Sequence, residues 1–212
     1  MELLHTVHVP AGSGPFPTLL LLHGWGASAH DLFGLAPLLG GAMVICPQGP
    51  VEVPVGPGMN GYGWFPLVPG QPPDPDAFRE GAKRLAGFFE AALEAYPVDP
   101  ERLVIGGFSQ GGVMAYDLGL RRPERVSGVA ALSTWLPPSL AEDIEKKPEH
   151  EEFPVLVIHG ENDTMVEVDR ARASRDLLKP FGVRVQYREF PMAHEINPQA
   201  LRLLMEWLER VL

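Results

Sequence analysis

The stretch VIGGFSQGGVMA, Val104–Ala115, is a run of strand-forming residues that ends in a serine enclosed by two pairs of glycines. The apolar run favours a buried strand over Leu103–Phe108, and the residues after the serine favour a helix over Gln110–Arg121 that stops before Pro123. A flexible loop is the simplest alternative for so many glycines. A flexible loop, however, accounts for neither the apolar run before the serine nor the helical pattern after it. The stretch therefore predicts a strand, a tight turn at Ser109 and a helix.

The segment Gly107–Gly111 matches the pattern G-x-S-x-G, which is typical of a nucleophile elbow. Glycines in an elbow let the strand and the helix approach more closely than a Cβ atom would allow. The serine takes a strained backbone conformation that exposes its hydroxyl, and the next N–H points at the reacting oxygen from the positive end of a helix. Because three fixed letters also occur by chance, the predicted strand and helix around them are needed to favour Ser109 as a nucleophile.

Apolar runs on both sides of the elbow alternate with helical patterns. Strands are predicted at Leu3–Val9 (an edge strand), Thr18–Leu22, Ala42–Cys46, Leu103–Phe108, Val126–Leu132, Val155–Ile158 and Val183–Phe190. Helical spacing links Phe78, Ala82, Leu85, Phe89, Ala92 and Tyr96, and also links Leu201, Leu204, Leu208 and Val211 in a tail from Pro198. The alternation predicts an α/β fold with a mostly parallel, doubly wound sheet flanked by helices. Since neither a repeat nor a linker is evident, residues 1–212 are expected to form a single domain.

Composition excludes several classes of protein. The chain is 45% hydrophobic and 21% charged, an ordinary balance for a globular domain. Its net charge of −10 repels phosphate backbones and argues against a nucleic-acid partner. The longest apolar run, Thr18–Gly24, is too short to cross a bilayer, and the acidic N-terminus is unlike a signal peptide, so no integral membrane association is expected. One cysteine, Cys46, excludes an internal disulfide framework and favours the cytoplasm.

A serine hydroxyl needs a base, and the base needs an acid that orients it. In a fold with this elbow, the acid follows the serine and the histidine comes last. The strand in VLVIHGENDTMV is followed by Asp163, and the strand in YREFPMAHEINP is followed by His194. Both lie just beyond the carboxyl ends of predicted strands, where ligands bind in open α/β sheets. We therefore predict Ser109 as the nucleophile, His194 as the base and Asp163 as the acid.

Other residues fit these roles less well. Glu161 lies closer to its strand and Asp169 lies in the next predicted helix. Cys46 has no elbow and is expected to be a bystander thiol. No paired histidines or carboxylates have metal-ligand spacing, so a metal hydrolase is disfavoured and no cofactor is expected.

The remaining histidines are more simply explained as structural. His5 and His8 belong to the predicted edge strand, and His150 lies in a charged segment. His23 and His159 each precede a glycine at a strand end, where we expect them to act as hydrogen-bonded pins of a loop.

An oxyanion hole requires two N–H donors. One is the Gln110 amide, directly after the serine. The other is expected in the loop after an early strand, and LLHGWGAS supplies such a loop, so we predict the Trp25 amide. The alternative is that His23-Gly24 forms only a tight turn.

Two segments interrupt the alternation. Pro47–Pro73 contains eight prolines and six glycines in 27 residues, together with aromatic residues that a disordered linker rarely holds, so we expect an ordered loop or short hairpin near the site. Trp135–Phe153 begins apolar and becomes charged; it is either a solvated surface loop or a flap whose apolar start lines a pocket. The candidates for an acyl-binding wall are Met59, Trp64, Phe65, Trp135 and Leu136, and core packing is the alternative for each.

The sequence resembles the phospholipase/carboxylesterase branch of the α/β-hydrolases, which includes the acyl-protein thioesterases. The resemblance rests on LLLLHGWGAS, CPQGPVEVP with MNGYGWF, GGFSQGG, LSTWLP, HGENDTMV and MAHEI, in family order over nearly the whole chain. It places the family's nucleophile on Ser109, its acid on Asp163, its base on His194 and its oxyanion donors on Trp25 and Gln110. The family more often has leucine at position 25 and proline at position 164, where this chain has threonine.

The resemblance implies a cytosolic, cofactor-free serine hydrolase that acts on carboxylic esters, lysophospholipids or S-acyl groups through an acyl-enzyme. No large cap domain is expected, so the site should be open, and an open site suits a carboxylesterase for short- to medium-chain esters or thioesters. A small-molecule ester or acyl group is the expected partner, and a homodimer remains open because several family members form one. Lysophospholipase or protein S-deacylase activity is the alternative within enzymes. A non-catalytic binding module that kept the fold is the alternative of a different class, and it would predict a broken triad.

Overall fold

A mostly parallel, seven-stranded sheet forms the centre of the computed structural model, which describes residues 2–68, 71 and 73–212. The strands in chain order are β1 (His5–His8), β2 (Phe16–Leu22), β3 (Met43–Pro47), β4 (Val51–Gly56), β5 (Met59–Gly63), β6 (Val98–Phe108), β7 (Gly128–Leu132), β8 (Pro154–Gly160) and β9 (Arg184–Phe190). The sheet order is β1-β3-β2-β6-β7-β8-β9, and only β1 runs antiparallel to its neighbour. The predicted α/β fold and its edge strand are confirmed.

The direction of strand addition reverses between β2 and β6, because β3 is added on one side of β2 and the run β6-β7-β8-β9 is added on the other. Loops after the two strands at such a switch point leave a crevice beyond their carboxyl ends. Leu22 of β2 pairs with Gly107 of β6, so the loop at Trp25 and the turn at Ser109 begin side by side. The topology therefore places the elbow next to the predicted oxyanion loop.

In the part of the chain that the structure describes, five α-helices flank the sheet: α1 (Pro75–Ala95), α2 (Gln110–Arg121), α3 (Pro138–Asp143), α4 (Val168–Leu178) and α5 (Pro198–Val211). The α1 helix begins with Asp74 as its N-cap, whose carboxylate accepts from the amides of Asp76 and Ala77. Asn197 caps α5 in the same way through Gln199 and Ala200. Each of these helices has proline at one of its first positions, where a missing N–H costs nothing.

Alternate residues of the strands point to opposite faces of the sheet, and each face has its own core. On one face, Leu20 and Ile105 pack with α1 and α2. On the other face, Leu19 and Val104 pack with α5 and with a 3₁₀ helix at Leu32–Leu38. Burial on both faces explains why the central strands read as continuous apolar runs.

The proline-rich segment contains an antiparallel hairpin of β4 and β5, as the sequence predicted. The Tyr62 amide donates to Ala27 O at 2.7 Å and the Gly26 amide donates to Tyr62 O at 2.8 Å, so the hairpin is joined to the loop after β2. The Trp135–Phe153 segment forms α3 and a 3₁₀ turn at Pro148–His150. Three strands are longer than predicted: β2 begins at Phe16, β8 extends over Pro154–Gly160, and β6 begins at Val98, which pairs with Phe16 before an irregularity in the register.

Candidate active site

Ser109 occupies a strained turn between β6 and α2. Its φ of 53° and ψ of −121° lie in a region that L-residues rarely adopt. A Cβ atom on Gly107 would overlap the Gly111 carbonyl group, and a Cβ atom on Gly111 would overlap the Leu22 carbonyl group. The two glycines are therefore required by the close approach of the helix to both the elbow strand and β2.

Three hydrogen bonds hold the backbone of Ser109 in the elbow. The Ser109 amide donates to Leu132 O at 2.9 Å, and Ser109 O accepts from the Gly112 amide at 2.9 Å. The Thr134 hydroxyl also donates to Ser109 O, at 2.6 Å. These bonds join the turn to the end of β7 and the start of α2, and they oppose relaxation of the strained backbone.

Asp163 lies in the loop after β8, and its carboxylate is fully used. Oδ1 accepts from the Met165 and Val166 amides, each at 2.9 Å, while Oδ2 accepts from His194 Nδ1 at 2.7 Å. The side chain is buried. Two backbone donors and one imidazole therefore orient the carboxylate.

His194 lies in the loop after β9, with Nδ1 bonded to Asp163 and its ring against Phe108 at 4.8 Å between centroids. Because Nδ1 donates to a carboxylate, Nε2 is the nitrogen left for a reacting group. The side chain is 19% exposed, and His194 and Ser109 line the same cavity. The structure thus brings all three residues of the predicted triad to one edge of the sheet.

The loops that carry Asp163 and His194 are joined by backbone hydrogen bonds. The Glu161 amide donates to Phe190 O at 2.8 Å, and the Asn162 amide donates to Met192 O at 3.1 Å. A Cβ atom on Gly160 would overlap the Met192 carbonyl oxygen, so glycine is needed where the loops meet.

Ser133 is a second strained residue beside the elbow, and sequence reasoning missed it. It is fully buried with φ 46°, its amide donates to Ile158 O at 2.8 Å, and its hydroxyl donates to Glu195 O at 3.3 Å. Ser133 therefore connects the end of β7 to the loop of His194. No local motif marks it, because its role depends on two neighbouring strands.

The predicted oxyanion donors lie on either side of Ser109. Gln110 is the first residue of α2 and Trp25 lies in the loop after β2, and Trp25 lines the cavity with Ser109. Within the described part of the chain, neither amide donates to another protein group. Both N–H groups are thus free to bind a ligand oxygen.

The side chain of Gln110 has a structural role that the motif does not reveal. It is fully buried, and its Oε1 accepts from the Trp64 amide at 2.8 Å while its Nε2 donates to Phe65 O at 2.7 Å. These bonds fix the chain after β5 against the elbow. The amide side chain is therefore the link between the helix start and the hairpin segment.

His23 is buried and holds the loop after β2 through both nitrogens of its ring. Its Nδ1–H donates to Gly24 O at 2.7 Å, and its Nε2 accepts from the Gly49 amide at 2.9 Å. The Trp64 indole donates to His23 O at 2.9 Å. Burial lowers the pKa of His23, so the ring is neutral and acts as one donor and one acceptor.

The cavity has a volume of about 1490 Å³ and extends from Ser109 along α2. Its apolar wall includes Trp25, Leu67, Phe78, Val113, Trp135, Leu136, Leu140 and Leu177. The Leu136 amide donates to the buried Ser174 hydroxyl at 2.7 Å, which fixes this wall to α4. Arg170 lies over the Trp135 ring, 4.6 Å from its centroid. Trp135 and Leu136 thus lie where the sequence predicted.

Three other predicted wall residues do not line the cavity. Trp64 and Phe65 are fully buried in the core, because the Gln110 side chain draws their backbone inward beneath the elbow. Met59 lies at the tip of the hairpin and is 59% exposed. The expectation that Met59, Trp64 and Phe65 contact an acyl group is corrected by these positions.

The described residues contain few other candidates for chemistry. Cys46 is buried in β3, and burial raises the pKa of its thiol to about 12, so it stays protonated. Residues 2–68, 71 and 73–212 include no group of three or more His, Cys, Asp or Glu side chains placed to hold a metal ion. In the same residues, no helix is both long and apolar enough to span a bilayer.

Comparison with known proteins gives consistent similarities. Residues 6–212 match the family described as Phospholipase/Carboxylesterase. The chain is 30% identical to acyl-protein thioesterase 1 of Gibberella zeae, over 96% of this chain and 94% of that protein. It is 29% identical to carboxylesterase SOBER1 of Arabidopsis thaliana, over 69% of this chain and 67% of that protein. The crystal structure of esterase PE8 superposes with a TM-score of 0.80 at 28% identity, covering 100% of both chains.

Proposed function

The chain belongs to the phospholipase/carboxylesterase family of α/β-hydrolases and is a carboxylic ester hydrolase. From this premise, we propose that it is a serine esterase for short- to medium-chain esters and thioesters. Ser109 is the nucleophile, His194 the general base and Asp163 the residue that orients it. The observation that carries the proposal is the hydrogen bond of 2.7 Å between His194 Nδ1 and Asp163 Oδ2, at a cavity that His194 shares with the strained Ser109.

Acylation begins when Ser109 Oγ attacks the carbonyl carbon of the ester and its proton passes to His194 Nε2. The negative charge moves to the carbonyl oxygen, which accepts from the Trp25 and Gln110 amides. Collapse of this intermediate breaks the bond to the alcohol or thiol, and the leaving group takes the proton from His194. Water then attacks the acyl-serine by the same steps and releases the acid.

Asp163 orients His194 throughout these steps. Its bond to Nδ1 selects the tautomer of His194 in which Nε2 can accept the serine proton. The same carboxylate stabilises the imidazolium that forms while the intermediate exists. The two backbone donors on Oδ1 support this role, because they hold the carboxylate in place before the substrate arrives.

The two free amides support the assignment of the oxyanion hole. An N–H at the first turn of a helix has no partner within the helix, and the Gln110 amide is such a group. The positive end of the α2 dipole adds to the attraction for a developing oxyanion. Since both donors belong to the backbone, tryptophan in place of the family's more common leucine at position 25 leaves this function intact.

The cavity supports the proposed range of substrates. Val113 and Arg121 both line it, and Arg121 comes twelve residues after Ser109, which corresponds to about 18 Å along the helix. That length accommodates a medium-chain acyl group. At Arg121, the apolar wall gives way to an ion pair with Asp143 at 2.5 Å. A longer chain would have to desolvate this pair, which disfavours it.

Lysophospholipase or protein S-deacylase activity is the alternative, and the length of the cavity is the observation that favours it. A long-chain acyl group could leave the cavity past Arg121 without entering the core. We further propose that the chain acts in the cytoplasm as a single domain over residues 1–212. A small-molecule substrate is the expected partner, and a homodimer remains a proposal for solution measurement.

Hydrolysis of p-nitrophenyl esters from acetate to palmitate, by the wild type and Ser109→Ala in parallel, tests the proposal. We expect turnover by the wild type with a maximum at medium chain length and at least about 10³-fold less by the variant. Covalent labelling by a fluorophosphonate should likewise require Ser109. A protein that neither hydrolyses any ester nor forms the adduct would contradict the proposal and favour the binding module. A maximum at palmitate would favour the deacylase alternative.

A further inference from the structure

A second histidine, His159, contacts the Asp163 carboxylate. It lies near the end of β8 and is fully buried, with Nε2 3.4 Å from Asp163 Oδ2, the oxygen that also accepts from His194. The same Nε2 is 2.7 Å from Val166 O. A carbonyl oxygen can only accept, so Nε2 carries the proton and donates it to Val166 O, with Asp163 Oδ2 in contact at 3.4 Å.

The other nitrogen of His159 has no partner. Nδ1 is buried and accepts no hydrogen bond in the described part of the chain. Burial also lowers the pKa of His159, which agrees with a neutral ring. His159 therefore presents the positive end of an N–H dipole to Asp163 without adding a full charge.

Packing alone does not account for a histidine at this position. A buried nitrogen without a partner costs free energy that an apolar side chain of similar size would avoid. What the ring supplies in return is an N–H that donates to Val166 O at 2.7 Å and lies 3.4 Å from the carboxylate of Asp163. The Val166 amide in turn donates to Asp163 Oδ1 at 2.9 Å. The ring therefore joins the end of β8 to Val166, the residue that also binds the carboxylate.

We infer that His159 is a positioning residue for the proposed triad, which holds the Asp163 loop and withdraws negative charge from the oxygen that binds His194. This inference rests on the proposed function. With part of the Oδ2 charge withdrawn, the imidazolium of His194 is stabilised less, so His194 becomes an available base at lower pH.

The charged groups around His159 allow this effect to be observed. Besides Asp163 and His194, Glu189 of β9 acts on His159 electrostatically. Hydrogen bonds from Arg172 lower the pKa of Glu189 to about 2, so Glu189 stays ionised and paired near neutral pH. A titration between pH 5 and 8 at this site therefore reports on histidines.

The test compares His159→Leu, which removes the N–H, with His159→Gln, whose amide nitrogen can restore a donor near the Nε2 position. His150→Leu is the matched control. His150 is equally buried and its Nε2 donates to Leu120 O at 2.7 Å, but it contacts no residue of the proposed triad. A proton NMR titration of the His194 imidazole gives its pKa directly. The acid limb of the profile of kcat/KM against pH gives the same pKa from activity.

We expect His159→Leu to raise the pKa of His194 and move the acid limb to higher pH by several tenths of a unit, with kcat reduced by up to about tenfold. His159→Gln should restore most of the wild-type profile, and His150→Leu should leave it unchanged. An unshifted or lowered pKa in a folded His159→Leu would overturn the inference, as would an equal shift in His150→Leu. Because the NMR titration needs no turnover, failure of the proposed esterase activity would be distinguished from failure of this inference.

Discussion

The dipeptide His-Gly ends two strands of the sheet, at His23-Gly24 after β2 and at His159-Gly160 after β8, and the two copies differ in what they hold. Both histidines are buried and neutral. His23 uses both ring nitrogens on backbone groups, at 2.7 and 2.9 Å. His159 Nε2 donates to the Val166 carbonyl and lies 3.4 Å from the Asp163 carboxylate, and its Nδ1 has no partner among the described residues.

The difference shows how the surroundings determine the role of a short motif. The loop after β2 meets the turn between β3 and β4, where the Gly49 amide donates to His23. The loop after β8 meets the loop of His194, and the carboxylate of Asp163 lies between the two imidazoles. The sequence assigned both histidines to the same class of loop pin, and only His23 is confined to that role in the structure.

The largest expected effect at the β8 end comes from Asp163→Asn. The amide keeps an oxygen for the Met165 and Val166 amides but no longer selects the productive tautomer of His194. We expect kcat for p-nitrophenyl butyrate to fall about 10⁴-fold with little change in melting temperature. Glu161→Gln, which alters an exposed carboxylate two residues away, is the control and should retain activity. If Glu161→Gln lost activity and Asp163→Asn kept it, Glu161 and not Asp163 would be the acid of the triad.

Gly61→Ala tests the β2 end by separating the hairpin from the oxyanion loop. A Cβ atom at this position would overlap the backbone of Gly26, which is adjacent to Trp25. We expect kcat to fall about 10²-fold, as for loss of one oxyanion donor, with a smaller change in KM. Gly87→Ala, in α1 with open space around it, should keep full activity and raise stability by about 1 kcal/mol. An unchanged kcat in a folded Gly61→Ala variant would show that the hairpin does not support the proposed oxyanion hole.

His23→Leu should affect stability more than chemistry. The Gly49 amide and the Gly24 carbonyl group would lose their buried partner, which costs about 3 kcal/mol in the free energy of unfolding. Urea denaturation measures this loss, and kcat measured on the folded fraction should change less than in Asp163→Asn. A His23→Leu variant with wild-type stability would mean that solvent replaces the ring in both hydrogen bonds.

The smallest effect is the dependence of stability on pH. Burial lowers the pKa of His23 below its usual value near 6.5, so below that pH the unfolded chain binds a proton that the folded chain does not. Folding is then favoured above pH 6.5 and weakened as the pH falls toward the lowered value, by up to about 1.4 kcal/mol per pH unit. Unfolding free energies at pH 7.5 and 5.5 should therefore differ less in His23→Leu than in the wild type. Equal differences would show that the pKa of His23 is the same in the folded and the unfolded chain.

The elbow and the positions of Asp163 and His194 could be predicted because each follows an apolar strand run, and parallel strands end at one edge of the sheet. The lining of the cavity was predicted only in part. Trp135 and Leu136 follow β7 directly, so their place at the edge depends on one strand. Trp64 and Phe65 follow a hairpin whose direction depends on hydrogen bonds to Gln110, forty-five residues or more away along the chain.

The sequence by itself determined the fold class, the elbow and the order of the candidate triad, because these depend on local hydrophobic patterns, on glycines at close approaches and on chain order. Tertiary structure alone decided which of two His-Gly pairs contacts the carboxylate, which aromatic residues face the cavity and which backbone donors remain free. Those outcomes depend on the pairing of groups distant in sequence, within hydrogen-bond distances of about 3 Å that no local pattern specifies.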